Sequence, residues 1–279
     1  MGLTSVRRTA VALAVPFVVL GLLAGSIDTA SAAVSKPKPK PARRIAWVIG
    51  IDGQSGTAGK PSPAGDARAI AKMLKEDGFE SVVETVNADR AAMLEALDAF
   101  SKSVRPDDVV LVSFSGASFE IDGKLFIAPV GMVDFKDLTK LKLEPIPVAD
   151  ILEAMDASKN LRMLVFDGSR TSQVYDPAPA KGAPAAAQCP TAVPGRIEFY
   201  STRHGQPALD HVPDKPKIKH SPFVQALIVD FDMADPHGLY SRVFKAVARA
   251  SKRTQAPVMC GLAEVTLEHL DMRMAPKRK

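Results

Sequence analysis

The chain has 279 residues, 46% of them hydrophobic and 24% charged, with 36 basic against 31 acidic side chains for a net charge of +5. These are the values of an ordinary globular protein of one or two domains, and they exclude collagen-like, disulfide-scaffold and wholly disordered chains. Two cysteines are too few for a zinc site built from three or four thiolates, and 6% aromatic residues do not furnish a stacking platform for single-stranded nucleic acid.

Arg7 and Arg8 precede an uncharged run from Thr9 to Ile27, which is followed by Thr29-Ala30-Ser31-Ala32-Ala33. A basic start, an apolar centre and an Ala-x-Ala ending predict a secretory signal over 1–32, cleaved after Ala32. Pro16 and the small residues before Ala33 favour cleavage, the alternative being an uncleaved anchor, because the run approaches the length of a membrane span. The mature chain is therefore expected in the periplasm or outside the cell. Lys36-Pro37-Lys38-Pro39-Lys40-Pro41 opens a basic, Pro-rich arm over 33–43 that reads as an extended spacer. Membrane contact is expected only through this arm or the signal. Five positive charges lie between Lys36 and Arg44, and a second basic patch, Arg273 to Lys279, closes a tail over 266–279. The basic balance thus belongs largely to the arm and the tail, and no nucleic-acid partner is expected.

The domain between them, 44–265, alternates strand and helix. Ile45 to Ile51 is a continuous apolar run suited to a strand buried on both faces. Asp66 to Asp77 has helical spacing, with Ile70, Met73 and Leu74 on one face and Gly78 as its stop. Ser81 to Val86 is a second strand. Asn87 is expected to cap a helix from Ala88 to about Ser103, with Met93, Leu94, Leu97 and Phe100 buried. Asp108 to Phe114 is a third buried strand, and Phe119 to Val130 is a hairpin turning on Asp122-Gly123. Val148 to Ala157 reads as helix and Met163 to Phe166 as a fourth strand. The stretch 177–195, rich in Ala, Pro and Gly, connects the first part, 44–176, to the second, 196–265. There Arg196 to Ser201 is a strand, Pro222 to Val229 and Leu239 to Ala250 are helices, and Pro257 to Gly261 is a candidate last strand. The order predicts an α/β fold: a mainly parallel sheet with helices on both faces.

In such sheets ligands bind beyond the carboxyl ends of the strands. The segments leaving them are Asp52-Gly53-Gln54, Ser115-Gly116-Ala117-Ser118, Asp167-Gly168-Ser169-Arg170 and Thr202-Arg203-His204-Gly205. None is a nucleophile motif unaided. Two decoys lie elsewhere. Gly50, Gly53, Gly56 and Gly59 precede Lys60, but Pro61 follows and the phosphate-loop spacing fails. Asp230, Asp232, Asp235 and His237 lack the Gly and terminal Glu of a calcium loop and read as a solvated turn. No metal or cofactor is expected.

The first strand ending in Val48-Ile49-Gly50, Pro63-Ala64-Gly65-Asp66-Ala67 opening the first helix, and Gly78-Phe79 closing it resemble bacterial caspase-like proteins related to metacaspases. So do the aromatic-Ser-Gly turn after the third strand, the Asp-x-x-Arg turn after the fourth, and His220-Ser221-Pro222-Phe223 before a helix. The resemblance covers about Arg44 to Gly261 and implies a caspase-like three-layer fold. Active relatives are cysteine endopeptidases with a His after the third strand and a Cys after the fourth. Carried over, these positions fall on Ala117 and Ser169. Thiolate attack needs a thiol, an imidazole and oxyanion donors, so the resemblance implies a pseudopeptidase acting as a binding or regulatory module. The alternative is a hydrolase rebuilt on Ser169 with a non-equivalent base such as His204. By the same resemblance Asp167 lines a pocket for a basic side chain of a peptide or protein partner. Ser115 and Arg170 are further candidate binding residues. Asp210 is a candidate second acid, although Lys215, Lys217 and Lys219 in its loop argue against an acidic pocket. Cys189 lies in the connection and Cys260 in a late apolar stretch. Neither reads as a positioned nucleophile, and the sequence leaves open whether they pair.

Overall fold

The computed structural model of the chain describes residues 41–52, 62–121, 123–132, 145–171, 189 and 191–265. The signal, the arm up to Lys40, Lys60 with Gly53, Gly56 and Gly59 before it, most of the 177–195 connection and the tail lie outside the described residues.

The continuous apolar runs form the centre of one six-stranded sheet. Its order is β2 (Ser81–Val86), β1 (Arg44–Ile51), β3 (Val109–Gly116), β7 (Arg162–Asp167), β8 (Arg196–Tyr200) and β9 (Val258–Cys260). All pairs are parallel except β8 with β9. Alternate residues of each strand serve opposite faces. Ala46, Val48, Leu111, Met163 and Val165 pack towards helices α1 (Pro63–Glu76), α4 (Pro222–Asp230) and α5 (Pro236–Ala250). Trp47, Ile49, Val112, Leu164 and Phe166 pack towards α2 (Arg90–Ser103) and α3 (Val148–Met155). The result is the α/β three-layer fold expected from the sequence. A short antiparallel sheet of β4 (Ser118–Ile121), β5 (Lys124–Ile127) and β6 (Ile146–Pro147) turns at Gly123, as the hairpin signal predicts. No helix among the described residues is long and apolar enough to cross a membrane.

Helix starts depart from the sequence expectation for local reasons. Helix α1 begins at Pro63, three residues before Asp66, because Ser62 Oγ accepts the Gly65 N–H at 3.1 Å and proline suits the first helical position. It stops at Gly78, whose φ of 88° is left-handed. The cap of α2 is Asp89, which accepts the Ala92 N–H at 2.9 Å, and not Asn87. Asn87 is instead left-handed at φ 52°, and its amide is exchanged with Asp52 at the end of β1. Helix α5 begins at Pro236, capped by Asp235. At Gly50 a Cβ would lie 2.5 Å from Ala67 Cβ and 2.6 Å from Pro63 O, so glycine lets the start of α1 rest on the end of β1.

The arginines at the end of the basic arm are docked: Arg43 pairs with Asp108 and Arg44 with Asp77. Cys189 and Cys260 form a disulfide, with Cα atoms 5.5 Å apart, which ties the end of the connection to β9.

Candidate functional site

Strands β1, β3, β7 and β8 run the same way, so their carboxyl ends share one edge of the sheet. At that edge lies a cleft of about 190 Å³, lined by Ser115, Ala117, Asp167, Ser169, Asp210 and, from the first turn of α1, Asp66. Ser221, which caps α4, joins its two buried acids. Its Oγ donates to Asp167 Oδ2 at 2.5 Å and its N–H donates to Asp66 Oδ2 at 3.3 Å. His220 Nδ1 lies 2.8 Å from Asp66 Oδ1.

Burial, reinforced by the neighbouring Asp66 and then Asp210, pushes the Asp167 carboxyl up to about 7 against the pull of the Ser221 and Ser201 hydroxyls. Burial also raises Asp66, and His220 opposes it. Ser201 stands beside the Asp167 carboxyl without normal hydrogen-bond geometry, so Asp167 Oδ1 has no hydrogen-bond partner among the described residues; nor has Ser115 Oγ. Two buried acids and an exposed third around one small opening can share protons or hold a cation.

The structure thus brings Ser115, Ala117, Asp167, Ser169 and Asp210 together. It places Arg170 and His204 elsewhere. Arg170 Nε donates to Glu120 Oε1 at 2.7 Å and its guanidinium lies 4.4 Å from the centre of the Tyr200 ring. His204 Nδ1 pairs with the other oxygen of Glu120. These groups line a second cleft of about 640 Å³, with Leu125, Phe126 and Cys189 on its walls. Ser169 Oγ accepts the Ala208 N–H at 3.1 Å, and Ser169 O accepts from Ser118 Oγ at 2.7 Å. No histidine lines the acidic cleft among its described residues, and both cysteines of the chain are bonded to each other. Lys215, Lys217 and Lys219 are exposed and do not line it.

A family model for the caspase domain matches residues 43–264. The chain belongs to the caspase domain family. The fold is shared with solved caspases. The Drosophila initiator caspase Dronc superposes with a TM-score of 0.55 at 11% identity, covering 84% of this chain and 87% of that one. Caspase-1 from Spodoptera frugiperda gives 0.53 at 14% identity, covering 82% of this chain and 90% of that one. No curated relative matches this chain.

Two lining residues of the cleft in this caspase domain, Asp66 and Ser221, and the His220 that pairs with Asp66 escape a reading of strand ends alone. Asp66 reads as an ordinary acidic residue in a first helical turn, where the dipole favours it. His220 and Ser221 read as the approach to a helix. Their common destination is invisible locally because 154 residues separate Asp66 from His220. Glu120, which holds His204 and Arg170, sits in a hairpin strand whose alternation suggests an outward residue, yet it is buried.

Proposed function

We propose that this exported caspase domain does not cleave peptides and that it holds a basic side chain of a peptide or protein partner in its acidic cleft. The observation that carries the reading is the lining of that cleft: Asp66, Asp167 and Asp210 converge with Ser115 and Ser221, and Ala117 and Ser169 stand at the positions that the family resemblance assigns to the catalytic pair. A guanidinium or ammonium entering the opening meets carboxylates whose own repulsion it relieves. Peptide hydrolysis by a thiolate needs a free cysteine, and both are consumed in the disulfide. A serine nucleophile needs an imidazole within ~2.6–3.2 Å. The candidate base His204 is engaged by Glu120 in the other cleft, so the rebuilt hydrolase is not the reading adopted.

Export rests on the signal pattern over 1–32 and gains support from the disulfide, since such bonds persist in oxidising compartments. Binding is tested by fluorescence anisotropy with short labelled peptides carrying Arg, Lys or Asp at one position. Arg and Lys peptides are expected to bind, Asp peptides not, and Ser169→Ala to change nothing. Lack of preference for basic peptides would refute the groove reading. Hydrolysis of any peptide that disappears in Ser169→Ala would restore the enzyme.

A further inference from the structure

Behind the loop that leaves β8, the C-terminal turns of α5 and the turn that follows enclose a third cleft of about 580 Å³. Arg203, Lys245, Arg249 and Arg253 line it, with Phe244 and Gln255, and no described residue of its lining is a carboxylate. Lys245 and Arg249 lie one turn apart on a face of α5, and Arg253 follows at the same interval beyond the helix end. Arg203 comes from a different element, the loop after β8. None of the four forms an ion pair among the described residues. Cations near a helix C-terminus answer its dipole. That accounts for Arg249 and does not account for a guanidinium brought from across the cleft.

The backbone adds a second observation. Lys252 and Arg253 have φ values of 52° and 67°, two successive left-handed residues, neither of them glycine. The turn is held by the Arg253 N–H donating to Ala248 O at 2.8 Å. Unfavourable backbone of this kind persists where surrounding structure enforces it, and it gathers at ligand clamps. The floor is fixed as well: the buried Gln255 donates to Ser201 O at 3.0 Å and accepts the Leu209 N–H at 3.1 Å.

The volume is that of a small-molecule pocket. Guanidinium forks match phosphoryl oxygens, and Phe244 with its alanine neighbours offers an apolar wall to an organic body. We propose that this cleft binds a small phosphorylated ligand, with Arg203, Arg249 and Arg253 holding the phosphoryl oxyanion. The site shares no lining residue with the acidic cleft, and the proposal stands apart from the function proposed for it.

The full chain is titrated calorimetrically with inorganic pyrophosphate and, separately, with adenosine diphosphate at about 0.15 M salt, where long-range attraction is largely screened. Saturable one-to-one binding of at least one of them is expected, weakened at least about tenfold in the pair Arg203→Gln with Arg249→Gln, since each change removes a charge-assisted contact. Arg253→Gly accepts the left-handed turn without strain. It is expected to keep or raise the melting temperature while weakening binding, which separates a lost contact from a lost fold. Tighter binding of the diphosphate nucleoside assigns the apolar wall to an organic body; equal binding assigns the phosphoryl group alone. The proposal is overturned if neither ligand saturates, if the variants bind as the parent does, or if Lys252→Gln, whose ammonium pairs with Asp214 outside the cleft, weakens binding as much.

Discussion

Replacing Asp167 with Asn should remove most of a pH dependence from the stability of the domain. The folded carboxyl titrates at about 7 and an unfolded Asp at ~3.9, so between these values the folded state holds a proton that the unfolded state has released. Stability therefore falls as pH rises through that window, and it is recovered as pH falls below it. About three units at ~1.36 kcal/mol each give an upper figure of about 4 kcal/mol, and relaxation of the buried site reduces this to about 2–4 kcal/mol. Asp167→Asn keeps an acceptor for the Ser221 hydroxyl but carries no charge at any pH, so its relative stability should grow from pH 4 to pH 8 by that amount. Urea denaturation of both proteins at several pH values, with the linear extrapolation applied at each, measures the difference. The pH dependence of the rest of the chain cancels to first order between the two curves. Parallel curves over pH 4–8 would show that Asp167 ionises in the fold as it does in water, and the electrostatic account of the cleft would fail.

Three further outcomes are expected. Cys260→Ser opens a bridge that spans 71 residues and should lower stability by about 2–5 kcal/mol, with the parent under reductant falling to the same level in the same denaturation assay. Gly50→Ala drives a methyl into Ala67 and the Pro63 carbonyl, and should cost about 1–3 kcal/mol by thermal unfolding while lifting the first turn of α1, and Asp66 with it, from the cleft. Arg170→Ala leaves Glu120 buried without its guanidinium partner and should cost about 3–5 kcal/mol, an effect that Glu120→Gln made alongside it should partly relieve in a double-mutant cycle.

The buried frame of this domain is legible in its sequence wherever a run of apolar side chains has no polar interruption. Trp47, Val112 and Phe166 sit in such runs and lie in the sheet. Capping is less legible because the same residue types have competing uses. Asn87 has the chemistry of a cap, but its amide is better satisfied twice over by Asp52, which leaves the cap to Asp89. The cleft is legible on its strand side, where chain direction alone brings Ser115, Asp167 and Ser169 to one edge. It is not legible on its helix side, since Asp66 and Ser221 meet only after the whole sheet has formed. His204 shows the limit most plainly. It leaves the strand next to that of Ser169, and only the position of Glu120, 84 residues earlier in the chain, turns it into the other cleft.

The bridge between Cys189 and Cys260 also gives the chain a covalent topology. It closes a ring that contains β8, α4, α5 and β9, while the chain before Cys189, with everything through β7, leads into that ring as a single tail. One backbone cut inside the ring, between Arg196 and Cys260, linearises it without releasing any piece. One cut between residues 172 and 188 falls in the tail, and the two products then stay together only through noncovalent contacts, among them the β7–β8 ladder, Asp66 with Ser221 and Glu120 with His204. A non-reducing gel would show the first molecule intact and the second in two bands, so the bridge decides where along this caspase domain a single proteolytic event can part it.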